Sequence, residues 1–286
     1  LNPDIPTNDF YESFYSSMPF IYDNKIYDNE DGQLPNFSWK SDVAYHVDAI
    51  QFGHMLRDKV ALPNGVVHVK ANIVKTNIEM EGNIESIKLD NGDELEADLF
   101  IDCTGFRSLL LGEAMDQYFE NWSDWLPNKD AITCHVPYTD KDKEMENVTN
   151  CTAWDHGWCW NIPLYNRIGA GYVYDKKYVT QEEAEAEFKA YLDSDRMAHH
   201  DPERSKKIEK FDHIKIRNGV YHKCWTQNVV GVGLSYGFIE PLESTGLLSV
   251  QEILLRLCET LHNPQVNRAH VDHFNYVVKQ IMTGFK

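Results

Sequence analysis

The chain has 286 residues, enough for one large domain or two modest ones, and its 42% apolar and 12% aromatic content can build a core. A formal net charge of −18 argues against nucleic acid and anionic membranes as partners, since both select basic patches. No apolar run approaches the length of a membrane span, and no secretion signal opens the sequence.

Residues 1–43 mix aromatics with Asp, Asn, Gly and Pro and predict irregular surface structure packed by aromatics. A helix is predicted from about Asp48 to Asp58, with Ile50, Gly53, His54 and Leu56 as a rough inner stripe. "VVHVKANIVKTNIEM" reads as one or two strands, "EGN" as a turn, "IESIKLD" as an alternating strand, and Asn91-Gly92 as a hairpin turn. "DELEADLFIDCTG" completes a three-strand meander whose last strand buries Leu99, Phe100 and Ile101. It ends on Cys103-Thr104-Gly105, where the backbone can approach a ligand closely. A second β block contains "AITCHVPY", "TAWDHGWCWNIPL" and "GAGYVYD". "TQEEAEAEFKAYLDS" follows as a helix, with a capping box at Thr180 and Glu183 and with Ala184, Phe188 and Leu192 on one face. "NVVGVGLSY" is a short apolar strand, "GLLSVQEILLRLCETLH" a helix with Leu248, Ile253, Leu254, Leu257 and Leu261 apolar, and "VNRAHVDHFNYVVKQIM" a last helix. The mixture predicts an α+β or α/β oxidoreductase-like fold.

The six cysteines, Cys103, Cys134, Cys151, Cys159, Cys224 and Cys258, form no C-x-x-C and read as reduced cytosolic thiols. The twelve histidines show no metal-ligand spacing, so no metal is expected, and His199-His200 reads as a solvated loop.

Three stretches carry candidate chemistry. In "ADLFIDCTGFRS" a buried strand runs into a glycine turn, which an ordinary core strand would also do. In "GWCWNIP" Trp158 and Trp160 face one side of a strand, as in a core aromatic ladder. In "VGLSYGFIEPLESTG" a strand, a glycine-containing loop and a helix follow one another. The amides of Thr245, Gly246 and Leu247 then point at a place for an anion, with Glu243 close enough to act on a neighbouring substrate. The plain alternative is that Glu243 or Ser244 caps the helix.

Taken together and in this order, "DLFIDCTGFR", "GWCWNIP" and "EPLESTG" resemble the flavin-dependent tryptophan halogenases. "YHVDA" (residues 45–49), "SDWLPN" (123–128) and "GAGYVY" (169–174) extend the resemblance over residues 40–262. It implies a partial FAD-dependent monooxygenase-like, two-layer flavoprotein fold. The whole chain, residues 1–286, would be one incomplete domain, with FAD-binding elements at about 45–110 and 225–262 and a substrate-side sheet at about 111–224.

The implied reaction is halogenation of an electron-rich aromatic substrate, tryptophan or another indole. Reduced FAD and O2 give a flavin hydroperoxide, halide (chloride or bromide) converts it to hypohalous acid, and the ring is halogenated. Glu243 would orient the halogen species and assist ring deprotonation, and Thr245 and Gly246 would hold halide. Leu234 and Leu247 would touch the flavin, and Thr104 and Gly105 would lie near it. Val69 or Lys70 would offer backbone to the adenine, and Trp158 and Trp160 would screen the substrate from the activated cofactor. A separate flavin reductase and a cytoplasmic location are implied, and a homodimer stays open.

The sequence also departs from the family pattern. It contains no G-x-G-x-x-G in a strand–loop–helix setting, and no lysine in it is assigned the family's catalytic role. The expectation is therefore a fragment that lacks the pyrophosphate loop, the lysine segment and the closing helices, binds FAD poorly and does not halogenate alone. A hydroxylating flavin monooxygenase and a non-catalytic relative remain the alternatives.

Overall fold

A computed structural model describes residues 18–24, 43–197 and 200–286. Most of the stretch read as irregular (residues 1–43), together with His199, lies outside the described residues. The described part of that stretch is a short helix α1 (Met18–Tyr22), and His200 is exposed. The chain divides into two compact units, Leu1–Val66 with Ile132–Val173 and Tyr178–His213, and Val67–Ala131 with Tyr174–Lys177 and Ile214–Lys286.

The first unit is organised by a five-stranded sheet in the order Asp212–Lys215, Asp130–Val136, Ile168–Tyr174, Gly157–Pro163, Asn150–Trp154. The Gly157–Pro163 strand alternates as its sequence requires. Cys159 and Asn161 are fully buried on one face, while Trp158 and Trp160 point the other way. Helix α4 (Gln181–Asp193) covers the buried face with Ala184, Phe188, Tyr191 and Leu192, and Phe188 stacks on Tyr172. Its Thr180–Glu183 capping box is formed as predicted. A single turn, α3 (Lys141–Glu144), sits before the hairpin.

Helix α2 (Ala49–Met55) is shorter than expected and continues through a π turn (Leu56–Ala61) and a 3-10 turn (Leu62–Asn64). Its predicted inner stripe is a correction. No residue of α2 is buried, and Ile50 and Leu56 are exposed, because periodicity marks an apolar face without supplying anything to cover it.

The second unit begins with the expected meander, Ile73–Ile78, Ile84–Leu89 and Glu94–Leu95, turning at Gly82 and Gly92 with positive φ. Residues 66–72 are extended but join no sheet. The meander's last strand is a second correction, because it stops at Leu95. Phe100–Asp102 instead pairs in parallel with Val229–Gly231, whose other neighbour is Trp225–Thr226. Phe100 is buried in this arrangement, whereas Ile101 is 47% exposed. The Asn228 side chain joins the two sheets by exchanging hydrogen bonds with both backbone groups of Ile84.

Helices α5 (Gly246–Leu261) and α6 (Arg268–Gly284) pack on this core through Ile253, Leu257, Phe274, Val278 and Met282. Of the apolar residues of α5, Leu248, Leu254 and Leu261 face outward, and the small Ser249 takes the inner position one turn above Ile253.

Candidate active site

In the second unit, three of the predicted cofactor residues, Thr104, Gly105 and Leu234, sit on two turns at the carboxyl ends of the parallel strands, while Val69 and Leu247 lie elsewhere in the unit. The first turn follows Asp102, which is completely buried. One carboxylate oxygen accepts from the amide and hydroxyl of Thr104 (2.9 and 2.6 Å), and the other from the amides of Leu110 and Leu111 (2.9 and 2.8 Å). A single side chain thus shapes the turn and caps the helical segment after it. The Thr104 hydroxyl also accepts from the Leu109 amide at 2.8 Å, so its proton and one lone pair are used inside the fold. Thr104 therefore has no free hydroxyl proton to offer and leaves only its backbone for outside contacts. Gly105 has φ +71, and a Cβ there would meet nothing within 4 Å, so glycine serves the backbone conformation and leaves open space.

The second turn carries Leu234, which is 38% exposed, within the 3-10 segment Gly233–Ser235. The two turns are bonded together. The Ser108 hydroxyl donates to the Ser235 carbonyl at 2.6 Å, and the Ser235 hydroxyl donates to the Asp102 carbonyl. Asp102, Ser108 and Ser235 were not singled out from sequence. The available signal was the Asp-x-Thr spacing at a strand end, which forms an Asx turn.

After this turn the chain runs through Glu240, whose carboxylate accepts from Asn128 at 2.8 Å and fixes the loop. Pro241–Glu243 is a 3-10 turn ending at Ser244 with φ +53. The side chain of Glu243 lies outside the described residues. Thr245, buried, opens α5 without giving it a side-chain cap. A Cβ at Gly246 would meet nothing within 4 Å, and Leu247 is 56% exposed beside it. The α5 N-terminus therefore presents main-chain amides and the positive end of a helix dipole to open space. Val69 lies on the extended stretch before the meander, 40% exposed, with Lys70 exposed after it.

In the first unit, the Trp158 and Trp160 rings lie 5.8 Å apart, tilted by 52°. Trp160 lies flat over Gly171, where a Cβ would stand 2.1 Å from the indole, so the second glycine of "GAGYVY" is required by this ring. A cleft of about 620 Å³ is lined by Trp160, Gly169, His135, Arg167, Lys207 and Asp212. The "YHVDA" segment, which had no assigned role, is bound to the same hairpin through His46 and Asp48.

In the second unit, parallel strands end in a glycine turn and a helix N-terminus lies uncapped in the same unit, an arrangement of the kind that α/β cofactor enzymes use. Residues 7–286 match the tryptophan halogenase family model, and the chain belongs to that family. It is 36% identical over 245 residues to tryptophan 7-halogenase RebH of Lentzea aerocolonigenes, covering 86% of this chain and 44% of that protein. The VirX1 apo structure superposes with a TM-score of 0.90 at 42% identity, covering 98% of this chain and 52% of that one. Tar14, a tryptophan C-6 flavin-dependent chlorinase from taromycin biosynthesis, gives 0.72 at 34%, covering 78% and 43%. The chain thus spans about half the length of the relatives it matches. Its mixed sheets and helices agree with these flavin halogenases. Among the described residues no helix is long and apolar enough to cross a membrane.

Proposed function

We propose that this protein takes part in halogenation of an electron-rich aromatic ring, tryptophan or another indole, using reduced FAD, O2 and chloride or bromide. The observation that carries the reading is the uncapped N-terminus of α5, where Thr245 and Gly246 offer amides to an anion. The residues fit FAD. Gly105 leaves open space at the ends of parallel strands, Leu234 and Leu247 present exposed apolar surface, and residues 66–72 expose extended backbone around Val69 and Lys70. In this reading the scaffold is part of a flavin-monooxygenase-like domain, with its FAD-binding elements at about 45–110 and 225–262.

Reduced FAD, delivered by a separate reductase, supplies with O2 the oxidising equivalents that turn halide into hypohalous acid. Thr245 and Gly246 hold the halide through main-chain amides, and the helix dipole favours its negative charge. Leu234, Leu247 and the Thr104–Gly105 backbone position the cofactor. Trp158 and Trp160 screen the substrate from it. The ring attacks the halogen of hypohalous acid, a carbon–halogen bond forms as the halogen–oxygen bond breaks and hydroxide leaves, and the ring proton passes to the Glu243 carboxylate and on to the hydroxide as water. A homodimer and a cytoplasmic setting belong to the same proposal.

Glu243→Gln tests the assignment. Halogenated product should fall by at least about 100-fold, the scale of a lost general base, while flavin reoxidation is nearly unchanged. Equal loss of both would remove Glu243 from the ring chemistry.

A further inference from the structure

We propose that His46 and Asp48 form a strap that positions the hairpin bearing Trp158 and Trp160. The functional part of this inference rests on the halogenase reading.

The contacts lie within the first unit and converge on the turn between the Gly157–Pro163 and Ile168–Tyr174 strands. The His46 Nδ1 hydrogen bonds to the Pro163 carbonyl at 2.8 Å, and its Nε2 to the Thr149 hydroxyl at 3.0 Å. The Tyr138 hydroxyl donates to the next carbonyl, Leu164, at 2.7 Å. Burial, and then the nearby Glu144 charge, push that phenol up to about 12, so it remains a donor. Arg167 closes the hairpin with its carbonyl, which accepts from the Leu164 amide, and its guanidinium pairs with Asp48. The other oxygen of Asp48 caps α2 through the amides of Ile50 and Gln51, both at 3.1 Å. Arg167 is only 19% exposed, and its Nε is buried with no hydrogen-bond partner. Its other side-chain contact is a weak 3.4 Å approach to Asn166. Among the described residues, Asp48 is thus the one strong side-chain partner of an arginine that lines the same cleft as Trp160.

The geometry gives the strap a direction. His46 and Asp48 hold the end of the tryptophan strand farthest from its Trp154–Gly157 turn, and Gly171 supports the Trp160 ring from beneath. A loosened turn frees the Pro163 end of the strand, which lies beyond the Cys159 and Asn161 positions covered by α4.

Asp48→Asn separates the two duties of the residue, because Asn caps a helix as well as Asp does while the charge facing Arg167 is gone. Hydrogen exchange of the protein as it stands should show residues 157–169 opening about five-fold faster in Asp48→Asn and in Arg167→Met, with α4 unchanged. Arg167→Lys, which keeps a cation, should restore most of the protection. With FAD, reductase, halide and an indole, Asp48→Asn should lower halogenated product per flavin oxidised several-fold at an unchanged reoxidation rate. Unchanged exchange at 157–169 in both variants, or product and reoxidation falling in parallel, would overturn the strap. The product assay uses the full-length protein that carries this chain; absence of halogenated product from its unmodified form would count against the halogenase reading alone, and the exchange result would still decide the strap.

Discussion

The Ser108 hydroxyl donates to the Ser235 carbonyl at 2.6 Å across 127 residues of sequence, and both residues are fully buried. This bond fastens the turn carrying Thr104 and Gly105 to the turn carrying Leu234. It links two sequence stretches whose interaction no local pattern reveals.

Ser108 also has φ +47, and its oxygen accepts from the Gly112 amide at 3.0 Å. Ser108→Ala should therefore cost about 1–3 kcal/mol by leaving buried groups unsatisfied. Ser108→Gly loses the same bonds but relaxes a left-handed backbone, so it should be the milder change. Urea denaturation of the two variants checks the order, and Gly as the more damaging replacement would contradict it.

Thiol labelling reads the site directly. Cys103, Cys151 and Cys258 are exposed, whereas Cys134, Cys159 and Cys224 are buried. Burial pushes Cys134 up to about 12 and raises Cys159 and Cys224 as well. Three thiols should react in the folded protein and six after denaturation. Cys103, raised by burial and then by the Asp102 charge, adjoins Thr104. Added FAD should slow its labelling selectively; unaltered labelling at saturating FAD would move the cofactor away from this turn.

The strap has a pH signature. The Arg167 hydrogen bond first, then the Gln51 amide, hold the Asp48 carboxyl below the usual range. A depressed folded pKa means that its stabilisation is present above the unfolded value of about 3.9 and is lost as pH falls through the folded value. The melting temperature of wild type should exceed that of Asp48→Asn by a constant amount at neutral pH. The gap should close below about pH 4. A gap that instead grows with acid would exclude a paired carboxylate.

Thr245→Val keeps the shape of the α5 entrance and exchanges a hydroxyl for a methyl. If main-chain amides hold the halide, the halide concentration needed for half-maximal product should rise modestly, by about ten-fold or less, the scale of one hydrogen bond. An unchanged halide requirement would place the anion elsewhere.

Much of the local structure was legible because its signals are short-range. The Thr180–Glu183 capping box, the Asn91-Gly92 turn and the alternation around Cys159 each act within a few residues. "DELEADLFIDCTG" was misread as one strand because its second half pairs with Val229–Gly231, a partner that hydropathy cannot name. Which of the apolar residues of α5 are covered was not legible, because all-round apolarity does not say which face packs on the core. The strap was invisible for the same reason, since Asp48 and Arg167 are 119 residues apart.

The most direct test of halogenation is mass spectrometry of an indole panel incubated with the full-length protein that carries this chain, FAD, a reductase, O2 and either chloride or bromide. The account predicts products in which one ring hydrogen is replaced by the halogen supplied, with the isotope pattern changing when chloride is exchanged for bromide. An oxygenated product formed equally well without halide would contradict it.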